Sequence, residues 1–201
     1  MGGWLVSGGT DSDYYDLDST EIFKDGVWTA EPKLPSKLSD HCQVEVNGKV
    51  IITGGYMYSG VTDQTLVLEV DKWNSVARMS NGRYFHACVE FQGEAFVFGG
   101  ISTSNTRLAS VEIYTLAVNS WRNGPDLPIA LDEPQAFVHE DVIYVLGGTG
   151  SGGQINKQIF YLSGPDYNTW DVLSVELEMN NHRTLLQPPV LAKELMFCKQ
   201  Q

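Results

Sequence analysis

An all-β chain built from repeated four-stranded antiparallel sheets is what this sequence predicts, and two periodic marks and one absence predict it. Gly-Gly pairs stand at Gly8-Gly9, Gly54-Gly55, Gly99-Gly100 and Gly147-Gly148, spaced 46, 45 and 48 residues apart. Tryptophans stand at Trp28, Trp73, Trp121 and Trp170, spaced 45, 48 and 49. The two series interlock, each Trp following its Gly-Gly pair by about twenty residues. Self-similarity at a period of 20–50 residues is the mark of a repeat architecture. The absence is of any 3.6-residue apolar stripe, so helix content is expected near zero.

Each unit decomposes the same way. A first apolar run, 42–46 or 87–91, meets a turn at Asn47-Gly48-Lys49 or Gln92-Gly93-Glu94 and returns through 50–53 or 95–98. Two short apolar runs about such a turn make a hairpin. The return run ends in Gly-Gly, and a polar loop of about ten residues follows. A third run comes next, at 20–23, 66–70, 111–114 and 158–162, and a short fourth strand carries the Trp. Four-stranded antiparallel sheets repeated along a chain predict a β-propeller. The units fall at about 1–33, 34–78, 79–126 and 127–178, with closing strands in 179–201.

The marks have physical reasons. A Cβ is excluded where neighbouring sheets converge, and Gly also takes φ > 0 to leave the strand. Each Trp is expected to fill the space between adjacent sheets. Burying ~200 Å² of indole at ~25 cal/mol/Å² stabilises by at most about 5 kcal/mol.

Further marks fall in phase. Leu34, Met79 and Leu127 each follow a Trp by six residues, and His41 and His86 each precede a Gly-Gly by thirteen. Trp73, Met79, Arg83, His86, Gly93, Gly99 and Gly100 together resemble the kelch repeat. The second unit keeps Trp28, Leu34, Pro35, His41, Gly54 and Gly55 but has Leu38 at the Arg position. The fourth keeps Tyr114, Trp121, Leu127 and Pro128, with Leu131 and Pro134 where Arg and His belong. The resemblance spans essentially the whole chain and implies a kelch-type β-propeller of about four blades.

The first unit starts at its second strand, 4–7. The tail repeats the spacing of Met79 to Arg83 in Met179 to Arg183, and 184–190 and 195–198 read as strands. Seventeen strands result, one more than four closed blades hold. A self-closed four-bladed wheel and a partial wheel of a larger ring both remain open here.

Composition excludes several functions. The 201 residues carry 13 Lys and Arg against 25 Asp and Glu, a net charge of −12. Phosphate-backbone affinity rests on Lys and Arg, so nucleic acid is not an expected partner. No apolar run approaches the ~20 residues that cross a bilayer, and no leader-like start is evident. The three cysteines, Cys42, Cys88 and Cys198, form no disulfide framework by count. They read as small buried thiols in a reducing, cytoplasmic setting.

Catalytic signals are absent. Gly148 to Gly153 contains GxGxxG, but the strand pattern that follows lacks the helix of a dinucleotide site. His41, His86, His139 and His182 form no metal spacing, and no cofactor is implied.

Strand alternation places the loops after Gly-Gly, and the segments leading into each first strand, on one face. Variable loops on a rigid scaffold are where binding usually sits. The first such loop holds Asp11, Asp13, Tyr14, Tyr15, Asp16 and Asp18. It lacks the Gly and final Glu of a calcium loop. Tyr56, Tyr58 and Asp63 offer aromatic and acidic neighbours, and Arg107 lies on a loop of the same face. Similar kelch modules bind acidic peptides through arginines there. Arg83 and Arg183 match that repeat position, where a structural salt bridge or carbonyl contact between blades is the stronger expectation. The expected function is a non-catalytic protein-interaction module whose partner is a protein or peptide, basic rather than acidic. The resemblance implies kinship with ubiquitin-ligase adaptors or actin-associated proteins. The alternatives are a kelch-like copper oxidase or sugar isomerase, and a fragment without activity of its own.

Overall fold

The computed structural model describes residues 3–177. Three complete blades and one incomplete blade follow one another along the chain. The first has three strands, Trp4–Ser7, Thr20–Lys24 and Val27–Glu31, in that order across the sheet. The second runs Cys42–Val46, Lys49–Thr53, Thr65–Leu68 and Trp73–Ser75. The third runs Ala87–Phe91, Glu94–Phe98, Val111–Thr115 and Ser120–Asn123. The fourth runs Gln135–His139, Val142–Leu146, Gln158–Leu162 and Trp170–Glu176. All pairings are antiparallel between chain neighbours. One 3₁₀ turn, Leu116–Val118, is the helix among the described residues.

The hairpin turns repeat. Asp25-Gly26, Asn47-Gly48, Gln92-Gly93 and Glu140-Asp141 all hold positive φ at both central positions. That backbone matches the twist of the flanking strands, which is why Asn, Asp and Gly recur there. Gly54 shows why Gly-Gly recurs. Its φ is +57°, and a Cβ on it would collide with the Arg83 carbonyl of the next blade. A Cβ on Gly55 would lie 2.7 Å from the Ser39 carbonyl oxygen.

Blades pack through their tryptophans. The indole N–H of Trp73 donates to the Pro32 carbonyl at 2.9 Å, that of Trp121 to Ala77 at 2.9 Å, and that of Trp170 to Pro125 at 2.9 Å. Each acceptor stands four residues after the Trp of the preceding blade. Trp28 departs from the expected core role: it is 50% exposed, with the Phe23 ring tilted against it at 5.1 Å and Trp4 on the far side of Phe23. Its blade is the first, so no earlier blade of the described residues covers it. The closing strands expected in 179–201 lie outside the described residues.

The expectation of three separate thiols is corrected. Cys42 and Cys88, 46 positions apart in the sequence, form a disulfide with Cα atoms 6.0 Å apart. The two cysteines are far apart in sequence, but the propeller geometry lays the first strands of the second and third blades side by side. The cystine removes the cysteine argument for a reducing compartment.

Candidate functional site

The post-Gly-Gly segments are more ordered than polar loops. In the second blade Tyr56–Met57 pairs with Gly60–Val61, and Tyr56 also bridges to Ser39. Arg83–Tyr84 pairs with Ile101–Ser102, and Leu131–Asp132 with Thr149–Gly150. The latter two ribbons, and the Ser39–Tyr56 bridge, each join a post-Gly-Gly segment to the segment entering a first strand. Both loop sets therefore share one face.

At the centre of that face, three equivalent residues sit in the left-handed region: Asp40 at φ 52°, Phe85 at 54° and Glu133 at 51°. The Phe85 N–H donates to the Asp40 carbonyl at 3.1 Å, and the Glu133 N–H to the Phe85 carbonyl at 2.8 Å. Backbone hydrogen bonds thus link the second, third and fourth blades in series. Non-glycine residues held at positive φ cost about 1–3 kcal/mol each and cluster at binding sites.

Side chains of different blades meet here. The Tyr56 and Tyr84 rings lie 5.5 Å apart edge to face, and Tyr84 lies 4.8 Å from Phe85. Burial and the negative charges of Asp16 and Glu133 raise the Asp40 carboxyl above its ordinary range. Tyr84 is also raised, by burial first and then by Tyr56, Asp40 and Asp132. No Lys or Arg among the described residues pairs with Asp16 or Asp40. This meeting point, the mouth, is therefore aromatic, with Asp40 and Asp132 raising Tyr84 and Arg107 opposing them, and its unpaired Asp16 and Asp40 carboxylates favour cationic side chains.

Below the mouth the polar groups serve the scaffold. Arg83 is 0% exposed and donates to the Gly99 and Ser110 carbonyls at 2.8 and 3.0 Å and to Glu112 at 2.6 Å. Glu112 also accepts the backbone N–H groups of Ser80 and Asn81, at 2.6 and 3.1 Å. His41 and His86 bond Ser7 and Thr53 of the preceding blades at 3.3 and 2.9 Å. Burial lowers His41 to about 4 and holds His86 well below the ordinary histidine range. Among the described residues no three His, Cys, Asp or Glu side chains converge to hold a metal ion. No helix of the described residues is long and apolar enough to cross a membrane.

The family model described as Kelch motif matches residues 82–128. Kelch repeat and BTB domain-containing protein 12 of Danio rerio is 30% identical over 201 residues, covering 82% of this chain and 32% of that protein. Kelch-like protein 15 of Homo sapiens is 26% identical over 191 residues, covering 83% of this chain and 31% of that protein.

The chain is a kelch-repeat protein.

A solved structure titled "Structure of YjhT" matches the kelch fold with a TM-score of 0.67 at 15% identity, over 82% of this chain and 54% of that one. The kelch chain spans about a third of the length of the curated relatives it matches.

The kelch blades bring some of the sequence-read residues together and divert others. Asp16 and Tyr56 reach the mouth. Tyr58 stands fully exposed at the tip of its ribbon, and Tyr14 and Tyr15 are exposed at 88% and 66%. Asp11 turns inward on its own loop, accepting from the backbone N–H groups of Asp13 and Tyr15 at 2.9 Å each. Asp18 pairs with Lys33 and Asp63 with Arg78. Arg107 pairs with Asp132 at 2.7 Å. Arg83 leaves the partner-facing candidates, because its guanidinium is wholly buried; the salt bridge and carbonyl contacts expected of it are present, but within its own blade rather than between blades. Arg183 lies outside the described residues. Asp40, Tyr84, Phe85 and Glu133 were not singled out, although their segments were placed on this face. The available signal was their common place, one or two residues before the histidine position of each repeat.

Proposed function

We propose that this kelch chain is a non-catalytic protein-interaction module whose loop face receives a basic segment of a partner protein. The observation that carries the reading is the mouth, where Tyr56, Tyr84 and Phe85 from two blades meet under the carboxylates of Asp16 and Asp40. Tyrosine and phenylalanine bring contact area at low entropic cost, and the surrounding negative charge selects for Lys or Arg. The net charge of −12 acts in the same direction by steering cationic partners inward.

The finer reading is substrate recognition within a longer adaptor. It draws on the Danio rerio relative, whose name joins kelch repeats to a BTB domain, and on the resemblance to adaptor wheels. An actin-associated scaffold is the other form of the same reading. Kinship with protein-interaction wheels also supports reading the chain as non-catalytic. A bound copper ion or turnover of a sugar would overturn that.

The test is a peptide array of basic, neutral and acidic sequences probed at physiological salt. Basic peptides are expected to bind, and Tyr84→Ala and Asp40→Asn are expected to weaken them at least tenfold. Selective binding of acidic peptides would sink the reading.

A further inference from the structure

The Cys42–Cys88 bond joins the first strands of the second and third blades, and the docking reading makes no use of it. It is not a requirement of the repeat. Ala87 stands in the third blade where Cys42 stands in the second, and Gln43 stands in the second where Cys88 stands in the third. The next boundary does without such a bond, since the matching residues of the fourth blade are Gln135 and Ala136.

The two boundaries differ in apolar packing. Fifteen buried residues, among them Phe98, Leu131, Phe160 and Trp170, form one cluster across the third and fourth blades. The cluster across the second and third holds five: Val46, Ile51, Val67, Ala95 and Tyr114. The cystine crosses the boundary with the smaller core.

Its place is also next to the mouth. Cys42 is two residues from Asp40 and Cys88 three from Phe85, the pair whose backbones are bonded across the same boundary. Tyr56 and Tyr84 meet over that boundary too. Both cysteines are half-buried rather than sealed.

We propose that Cys42 and Cys88 form a reversible thiol–disulfide exchange site for a small thiol of the glutathione class, a latch that sets how firmly the second and third blades hold the mouth together. A thiolate attacks one sulfur, forming a mixed disulfide and releasing the other cysteine as a thiolate, which takes up a proton. A second thiolate attacks the mixed disulfide. The protein gains two thiols, and two molecules of the small thiol are oxidised to one disulfide. Oxidation of the protein is the same exchange run with the small disulfide. The consequence for partner docking rests on the proposed function; the exchange chemistry does not.

The experiment uses the full chain with Cys198→Ser, equilibrated in glutathione buffers from oxidising to reducing, then alkylated and weighed. No alkylation is expected at the oxidising end and two modifications at the reducing end, without denaturant. The reduced form is expected to melt about 5–10 °C below the oxidised one, as loss of a cross-link over a loop of this length implies. A Cys42→Ser, Cys88→Ser variant should melt with the reduced form and ignore reductant. Two free thiols in glutathione disulfide, a bond that resists millimolar glutathione in the folded chain, or equal melting in both states would each overturn the latch. Binding of a basic peptide to both states then separates the two ideas. No binding to either state defeats the docking reading alone, and equal binding to both defeats control of the mouth.

Discussion

The indole N–H of Trp73 donates to the carbonyl of Pro32 at 2.9 Å across the boundary between the first and second blades. Thr20 of the first blade shares the same donor at 3.3 Å. Trp121 repeats the arrangement one blade later, with Ala77 and Thr65 as acceptors. A bulky ring with one polar edge suits this position: the ring fills the gap between sheets and the N–H meets a strand-end carbonyl that would otherwise be buried unbonded. The same residue type at Trp28 has no earlier blade to enter among the described residues.

This asymmetry makes the first prediction. Trp73→Ala should cost about 3–5 kcal/mol in denaturant unfolding, as for large buried aromatics. Trp28→Ala should cost less than about 1 kcal/mol, because half of its side chain is already in water. Equal losses would mean that Trp28 is covered in solution.

Arg83 and Glu112 make the second. Their side chains are 0% and 1% exposed and 2.6 Å apart. Removing one partner of a buried pair leaves an uncompensated charge and costs about 3–5 kcal/mol. Arg83→Ala should therefore destabilise strongly. Replacing both, with Arg83→Met and Glu112→Leu, should recover part of the loss, although the N–H groups of Ser80 and Asn81 then lose their acceptor. Urea midpoints of the three variants check this. A single variant as stable as the parent would overturn it.

The buried histidines make the third. Both are neutral in the folded chain, His41 titrating at about 4 and His86 held well below the ordinary range by burial, whereas unfolded histidine titrates near 6.5. Above that value neither state takes a proton, and the histidines have no effect on stability. As pH falls through 6.5 the unfolded chain binds protons that the folded chain refuses. Stability then declines by up to about 1.4 kcal/mol per pH unit for each histidine. For His41 the decline ends near 4, where the folded side chain also protonates. Urea unfolding between pH 7.5 and 4.5 should show the fall, and His86→Gln should flatten it. A flat profile in the parent would show that these side chains are open to solvent.

Gly54 and Gly60 make the fourth. Both have positive φ, but a Cβ on Gly54 strikes the Arg83 backbone whereas one on Gly60 meets nothing within 4 Å. Gly54→Ala should cost several kcal/mol, by strain and overpacking together, and Gly60→Ala about 1 kcal/mol from φ alone. Thermal melts of the two variants discriminate them. Similar melting points would mean that the blade boundary yields to a methyl group.

Much of this protein is written in its sequence by itself. The spacing of Gly-Gly and Trp, and the Asn-Gly and Gln-Gly turns, determine the strands, their order and the loop face, because each is a local requirement of backbone geometry. Only the tertiary structure decided the rest. It joined Cys42 to Cys88, which no spacing rule pairs. It buried Arg83 in its own blade and left Trp28 in water. It gathered Asp16, Asp40, Tyr56, Tyr84 and Phe85 at one mouth. Each of these depends on which blade stands beside which, so it is a matter of contacts between residues tens of positions apart. A period in the sequence states that blades repeat. The side chains that meet between them are decided only when the sheets pack.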